Sequence, residues 1–187
     1  MIERPGNLET TIETHRLLLE PLRRSHAAEL FEILSDPLLY RFIPQDPPVT
    51  LEALADRYER LETRASPSGE EAWLNWTARL KADSICLGRI EATVRQGRSA
   101  LLAYQIGASY WGRGFAAEAC RRVIRALFED WAVEQIMAEV DTRNTASIRL
   151  LERLGFGRGA LRIGADVFKG SSSDEFTYTL ERPRPSG

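Results

Sequence analysis

The chain has 187 residues, 43% hydrophobic and 28% charged, the make-up of an ordinary globular chain long enough for one domain with a real core. A net charge of −2 with both signs interspersed gives no sign of a polyanion binder, so no nucleic-acid partner is expected. Only Cys86 and Cys120 are cysteines, in apolar runs, and no stretch has leader-like or membrane-spanning hydrophobicity; no disulfide, metal site or membrane contact is expected, and the cytoplasm is the expected location.

Residues 1–10 and 183–187 are polar and rich in Pro and Gly, and are expected to be flexible tails on a single domain over 11–182. "TIETHRLLLEPL" (11–22) predicts a first strand. "SHAAELFEILSD" predicts a helix capped by Ser25, with Ala27, Leu30, Phe31 and Leu34 as its stripe and Asp36-Pro37 as its stop. "PLLYRFIPQDPPV" reads as a proline-punctuated loop. A second helix starts at Thr50, with Leu51, Leu54, Tyr58 and Leu61 on one face. Three runs follow, "AWLNWTARLK", "ICLGRIEATVR" and "SALLAYQIG", parted by the turn signals "KADS" and "QGR"; they predict an antiparallel meander. "GFAAEACRRVIRALFEDWA" is amphipathic, with Ala116, Cys120, Val123, Ile124, Leu127, Phe128 and Trp131 along one side. A strand "EQIMAEVDT", a helix "TASIRLLERL" and the strands "ALRIGADVF" and "DEFTYTLER" complete the order. One mixed α/β sheet with helices on its faces accommodates it. The strand at 133–142 follows a helical crossover and is expected to pair in parallel with the strand at 99–107.

Two glycine-rich stretches stand at opposite ends of helices. A phosphate cradle needs unpaired backbone N–H groups, which a helix N-terminus supplies together with a dipole of the right sign. "YWGRGFAAEA" has the required order of strand, glycine turn and helix start, and Arg113 adds a cation. It carries neither the Lys-Ser/Thr of a P-loop nor a third glycine in dinucleotide register. An anion site and a tight turn without ligand both satisfy this pattern. "LGFGRGAL" matches the dinucleotide pattern through Gly155, Gly157 and Ala160, which would imply nicotinamide-dinucleotide binding. It follows a helix, however, and Gly155 falls where a C-terminal capping glycine belongs; carbonyls, not N–H groups, face out there.

"QIGASYWGRGFAAEA" resembles motif A of the GNAT superfamily of N-acetyltransferases, [RQ]-x-x-G-x-[GA], here Trp111-x-x-Gly114-x-Ala116. Trp in the first place is similar to the RimJ/RimL branch of ribosomal-protein N-terminal acetyltransferases. "VDTRNTASIRLLERLGF" resembles that branch's N-x-x-S-x-x-x-x-x-x-x-G-F, and "TIETHRLLLEPL" its opening T-x-R-L-x-L-R-P-L. The resemblance implies a mixed, mostly antiparallel sheet of about seven strands with about four helices, splayed at an acetyl-CoA slot. It implies acetyl-CoA as cosubstrate without a metal, and direct attack by an amine in a ternary complex. The acceptor would be a protein N-terminus or a small molecule, and the chain a monomer or homodimer.

By the same resemblance, the N–H groups of Trp111, Gly112, Arg113, Gly114, Phe115 and Ala116 hold the pyrophosphate. Gln105, Ile106 and Gly107 run beside the pantetheine arm, with the Ile106 N–H polarising the thioester carbonyl. Asn144, Ser147 and Arg149 are further cofactor contacts. Many relatives carry a base Glu where this chain has Leu101, a departure that leaves open a non-catalytic acyl-CoA-binding or sensing module. The resemblance to RimL-like members makes Asp166, in the late strand, the alternative base candidate, and strand alternation alone adds Glu91. Ser147 stands where relatives place a Tyr acid, to hydrogen-bond the departing sulfur. Asp36, Tyr40, Phe42 and Trp76 are the candidate acceptor contacts.

Overall fold

A computed structural model describes residues 9–183, so the expected tails lie almost wholly outside the described residues. The period-two runs form β1 (Ile12–Glu13), β2 (Leu17–Pro21), β3 (Glu71–Leu80), β4 (Cys86–Arg95), β5 (Ser99–Ile106), β6 (Gln135–Asp141), β7 (Gly157–Phe168) and β8 (Ser171–Glu181). The helices are α1 (Ala27–Leu34), α2 (Leu51–Leu61), α3 (Phe115–Asp130) and α4 (Thr145–Arg153).

All eight strands join one sheet in the order β1-β2-β3-β4-β5-β6-β8-β7. Every pairing is antiparallel except β5 with β6, the parallel pair that the crossover through α3 requires. The α3 side packs Ala119, Cys120, Val123 and Leu127 against Ile90, Ala92, Ala100 and Leu102. A second cluster on the other face joins Leu30 and Leu34 of α1 to Leu54 and Tyr58 of α2 and to Cys86.

Several expectations need correction. The first strand is broken at 14–16, where the Leu17 N–H donates to Thr14 Oγ1 (2.8 Å) and the Thr14 N–H to the Leu17 carbonyl (2.9 Å); a tight turn thus gives two strands, and eight among the described residues. Ser25 does not cap α1: it lies inside a 3-10 turn (Arg24–His26) that leads into the helix. Leu51 is exposed, because at the first position of α2 it stands clear of the α1 surface that Leu54 and Tyr58 meet. Thr50 does cap α2, accepting from the Ala53 N–H at 3.1 Å. The proline loop contains a 3-10 turn (Pro37–Tyr40). β7 starts at Gly157, so the second glycine stretch is partly strand.

The functionally telling irregularity is between β5 and β6. Only Ser99, Ala100 and Leu101 pair with Gln135, Ile136 and Met137. Beyond them, β5 stays on β4 as far as Ile106, while β6 stays on β8 as far as Asp141. Each strand follows its own neighbour, so the sheet opens into a V at this seam.

Candidate functional site

The V and the ground beside it form a cavity of about 1160 Å³. Residues 102–106 of β5 and 138–141 of β6 are its two arms, and the start of α3 closes one end. Which backbone groups of β5 face it follows from register. The Gly107 N–H donates to the Leu87 carbonyl at 2.8 Å, and antiparallel pairing alternates from there. Gln105 and Ala103 therefore also bond towards β4. Leu102, Tyr104 and Ile106 turn their N–H and carbonyl groups to the V. Of the three residues expected along the pantetheine arm, only Ile106 presents its edge. Gly107 is held away, and a Cβ there would sit 3.0 Å from Ile33 Cγ2. The Ile106 carbonyl already accepts from Trp111 Nε1 at 2.6 Å, so its N–H is the open group.

The α3 start is built from two left-handed glycines, Gly112 (φ +73°) and Gly114 (φ +80°), a conformation that side-chain-bearing residues rarely adopt. The Trp111 N–H donates to Ala108 (3.1 Å), so Trp111 is not among the free donors. The first helical bond runs from the Glu118 N–H to Gly114 (3.0 Å). Among the described residues, nothing in the chain takes up the N–H groups of residues 112–117. A Cβ on Gly112 would meet no atom within 4 Å; it would stand in the open cradle. These unpaired donors suit a pyrophosphate, whose oxygens only accept. The dipole adds about 0.3–1 kcal/mol per charge. The Arg113 side chain turns to the Phe115 ring, 5.1 Å from its centroid, and does not line the cavity.

The cradle is braced from the far end of the sheet. Glu118 accepts from the Thr14 hydroxyl (2.6 Å), the Arg16 N–H (2.7 Å) and Arg16 Nε (2.6 Å). Arg16 Nη1 donates to the Arg113 carbonyl at 3.0 Å, and its guanidinium lies 4.4 Å over Phe115. Burial pushes the Glu118 carboxyl up, but the Thr14 and Arg16 hydrogen bonds outweigh it and hold the group below its ordinary range. Thr14 and Arg16 stand in the first resembling block, "THRL", and the brace gives that block a physical role.

The second glycine stretch is closed. Gly155 (φ +92°) donates its N–H to Glu152 (3.1 Å), and Phe156 donates to Leu151 (3.1 Å), the paired bonds of a Schellman ending on α4. Gly157 and Ala160 lie in β7. No cradle exists there.

Asn144 caps α4, its Oδ1 accepting from the Ser147 N–H at 3.2 Å. Asn144, Ser147 and Arg149 all line the cavity. Beside Ser147 stands the half-buried Tyr104, its hydroxyl oxygen shielded from solvent and without a well-formed hydrogen bond; burial pushes its pKa up, so it stays protonated. Glu91 and Leu101 also line the cavity. Glu91 pairs with Ala103 across the strands, so it is a diagonal neighbour of Leu101 on the same face. Its Oε1 lies 2.7 Å from Arg89 Nη1.

Asp166 reaches the cavity from β7, together with Glu139 of β6 and Glu175 of β8. Burial, then the charges of Glu139 and Asp166, raise the Glu175 pKa. Glu175 was not singled out from sequence; its strand alternation alone marks no chemistry. Among the described residues no group of three or more His, Cys, Asp or Glu is arranged to hold a metal ion, and no helix is long and apolar enough to cross a membrane.

The acceptor candidates divide. Phe42 lines the cavity with Leu38 and Leu39. Tyr40 is buried and lines a separate small cavity beside it. Asp36 caps the 3-10 turn, accepting from the Leu38 N–H at 2.9 Å, and lines neither cavity. Trp76 is 6% exposed in the core, on the strand face that meets α3.

A mixed sheet parted beside a free helix N-terminus has the shape to receive an extended, phosphate-headed ligand along backbone groups. The chain belongs to the GNAT acetyltransferase family: the family's Acetyltransferase (GNAT) domain matches residues 16–157. It is thus an acyltransferase of a family that uses acetyl-CoA and acts on amines. It is 26% identical over 175 residues, 92% of this chain and 97% of the relative, to the uncharacterised N-acetyltransferase YoaA of Bacillus subtilis (strain 168). It is 25% identical over 177 residues, 95% of this chain and 99% of the relative, to the uncharacterised N-acetyltransferase p20 of Bacillus licheniformis. Its fold matches that of Mycobacterium smegmatis RimJ, solved with CoA-disulfide, at a TM-score of 0.82, with 21% identity and 92% and 88% of the two chains covered.

Proposed function

We propose that this chain is an acetyl-CoA-dependent N-acetyltransferase of the RimJ/RimL-like branch, one domain over 11–182, acting on a primary amine in a ternary complex. The observation that carries the reading is the row of unpaired N–H groups over 112–117, lying at the end of the V between β5 and β6. The branch assignment rests on Trp111 and on the N-x-x-S block at Asn144 and Ser147.

Acetyl-CoA supplies the activated acyl group, held by its pyrophosphate at Gly112, Gly114, Phe115 and Ala116 with its arm in the V. The Ile106 N–H polarises the thioester carbonyl and stabilises the charge that develops on its oxygen. Alkyl amines are mostly protonated at neutral pH, so a base must take a proton before attack. Glu91 serves that role best. It stands diagonal to Leu101, where relatives keep their base, and it opens on the cavity face that Phe42 lines. Asp166, coupled to Glu175, is the second base candidate and approaches from β7. Ser147, with the protonated Tyr104 phenol beside it, donates a hydrogen bond to the departing sulfur. Asn144 holds Ser147 in place through the cap.

Thiol release from acetyl-CoA, screened against a panel of primary amines, tests the proposal. Amine-dependent release with a matching acetylated product is expected. Tight CoA binding with no turnover on any amine would overturn it in favour of an acyl-CoA-sensing module, the reading that Leu101 raises.

A further inference from the structure

Beside the main cavity lies a second one of about 100 Å³, with Tyr40, Asp46, Arg57 and Arg89 on its wall. That is room for several waters, and for a carboxylate. Arg89 lines both cavities and is only 3% exposed. Its Nε and Nη2 donate to Gln105 Oε1 at 2.8 and 2.5 Å. Its Nη1 lies near Glu91 without an aligned hydrogen bond. Gln105 Nε2 and the Tyr58 hydroxyl are also buried without partners.

Arg57, half-buried on α2, makes no hydrogen bond or ion pair with any described residue, although Asp46 stands on the same wall. Burial, and then the charge of Arg89, lower its pKa, and the charge of Glu91 offsets them only in part. On the wall of the small cavity, Arg57 and the Nη1 of Arg89 are thus donors without an aligned acceptor, and buried donors without acceptors are costly. A guanidinium fork fits a carboxylate bidentately. Arg89 and Glu91 are two residues apart on one face of β4, about 7 Å along the strand. One small molecule can thus place an amine at Glu91 and an anion beyond Arg89. We propose that the acceptor carries a carboxylate as well as its amine, and that Arg57 and Arg89 receive that carboxylate in the small cavity. The proposal rests on the N-acetyltransferase reading for the amine, but not for the anion.

The test compares ω-amino acids of increasing chain length, and short peptides with a free C-terminus, with their primary amides. Turnover with acetyl-CoA is measured for wild type, Arg57→Gln and Arg57→Lys. In wild type the acid with the best-matched length is expected to exceed its amide by about tenfold or more in kcat/KM, through a lower KM. Arg57→Gln erases that preference and leaves both the amide rate and the KM for acetyl-CoA unchanged; Arg57→Lys keeps part of it. Equal use of acid and amide by wild type, or an equal loss for both in Arg57→Gln, overturns the proposal. Calorimetric binding of the same acids and amides to the CoA-loaded protein gives a second readout independent of turnover. If no amine is acetylated yet the acids still bind in an Arg57-dependent way, the enzyme reading fails and the subsite stands. Inorganic phosphate displacing the acids and binding more tightly than they do, again through Arg57, would overturn the carboxylate assignment.

Discussion

The start of α3 and the end of α4 carry the two glycine-rich stretches, and their backbones are in opposite states. At α3, Gly112 and Gly114 turn the chain so that the N–H groups of residues 112–117 have no partner among the described residues. At α4, Gly155 turns the chain so that its own N–H and that of Phe156 close on Glu152 and Leu151. All three glycines adopt positive φ; the pair at α3 opens a donor row, and Gly155 seals a row of carbonyls. A glycine pattern therefore says little until the helix end it sits on is known.

The sharpest way to break this contrast is Gly114→Val. A left-handed conformation costs a side-chain-bearing residue about 1–2 kcal/mol, more when β-branched, and the cradle would lose its shape. Calorimetry is expected to show CoA affinity down by about 100-fold, equivalent to about 2.7 kcal/mol. Next in size, Glu91→Gln separates binding from chemistry. It should leave CoA affinity intact and lower kcat by about 10²-fold, the usual range for a lost general base. Asp166→Asn carries the larger loss instead if the proton leaves towards β7. Gly155→Ala should lower stability by about 1–2 kcal/mol, read as a lower midpoint in urea, with CoA affinity unchanged.

The smallest effect is on pH. The Glu118 carboxyl is held below its ordinary value of 4.5 by Thr14 and Arg16 against the opposing effect of burial. Its contribution is then complete above that value and fades as pH falls through the lowered one. Thermal melts from pH 6 downward should show wild type losing part of its margin over Glu118→Gln only below about pH 4.5.

Much of the architecture was legible because it is local. The meander, the α3 stripe and the start of α2 at Thr50 follow from alternation and helical spacing. The site was legible where order along the chain decides it, as in the strand–glycine–helix sequence. What stayed hidden depends on register and on contacts distant in sequence. Of Gln105, Ile106 and Gly107, only Ile106 turns its backbone N–H to the V, because Gly107 bonds to Leu87, a fact of pairing. Arg16 and Glu118 meet from opposite parts of the chain. Trp76 looked like an aromatic wall, but its strand turns it to the α3 core. Nothing in the sequence marks Arg57, and only the small cavity sets it apart.

The most direct test of the account is the titration of the wild-type protein with CoA and with pantetheine, which lacks the nucleotide and pyrophosphate. If the donor row at α3 anchors the ligand, CoA binds at least about 100-fold more tightly, a difference of about 2.7 kcal/mol. Pantetheine binding as tightly as CoA would contradict it, because the V alone would then hold the ligand and the open N–H groups of residues 112–117 would have no part in binding.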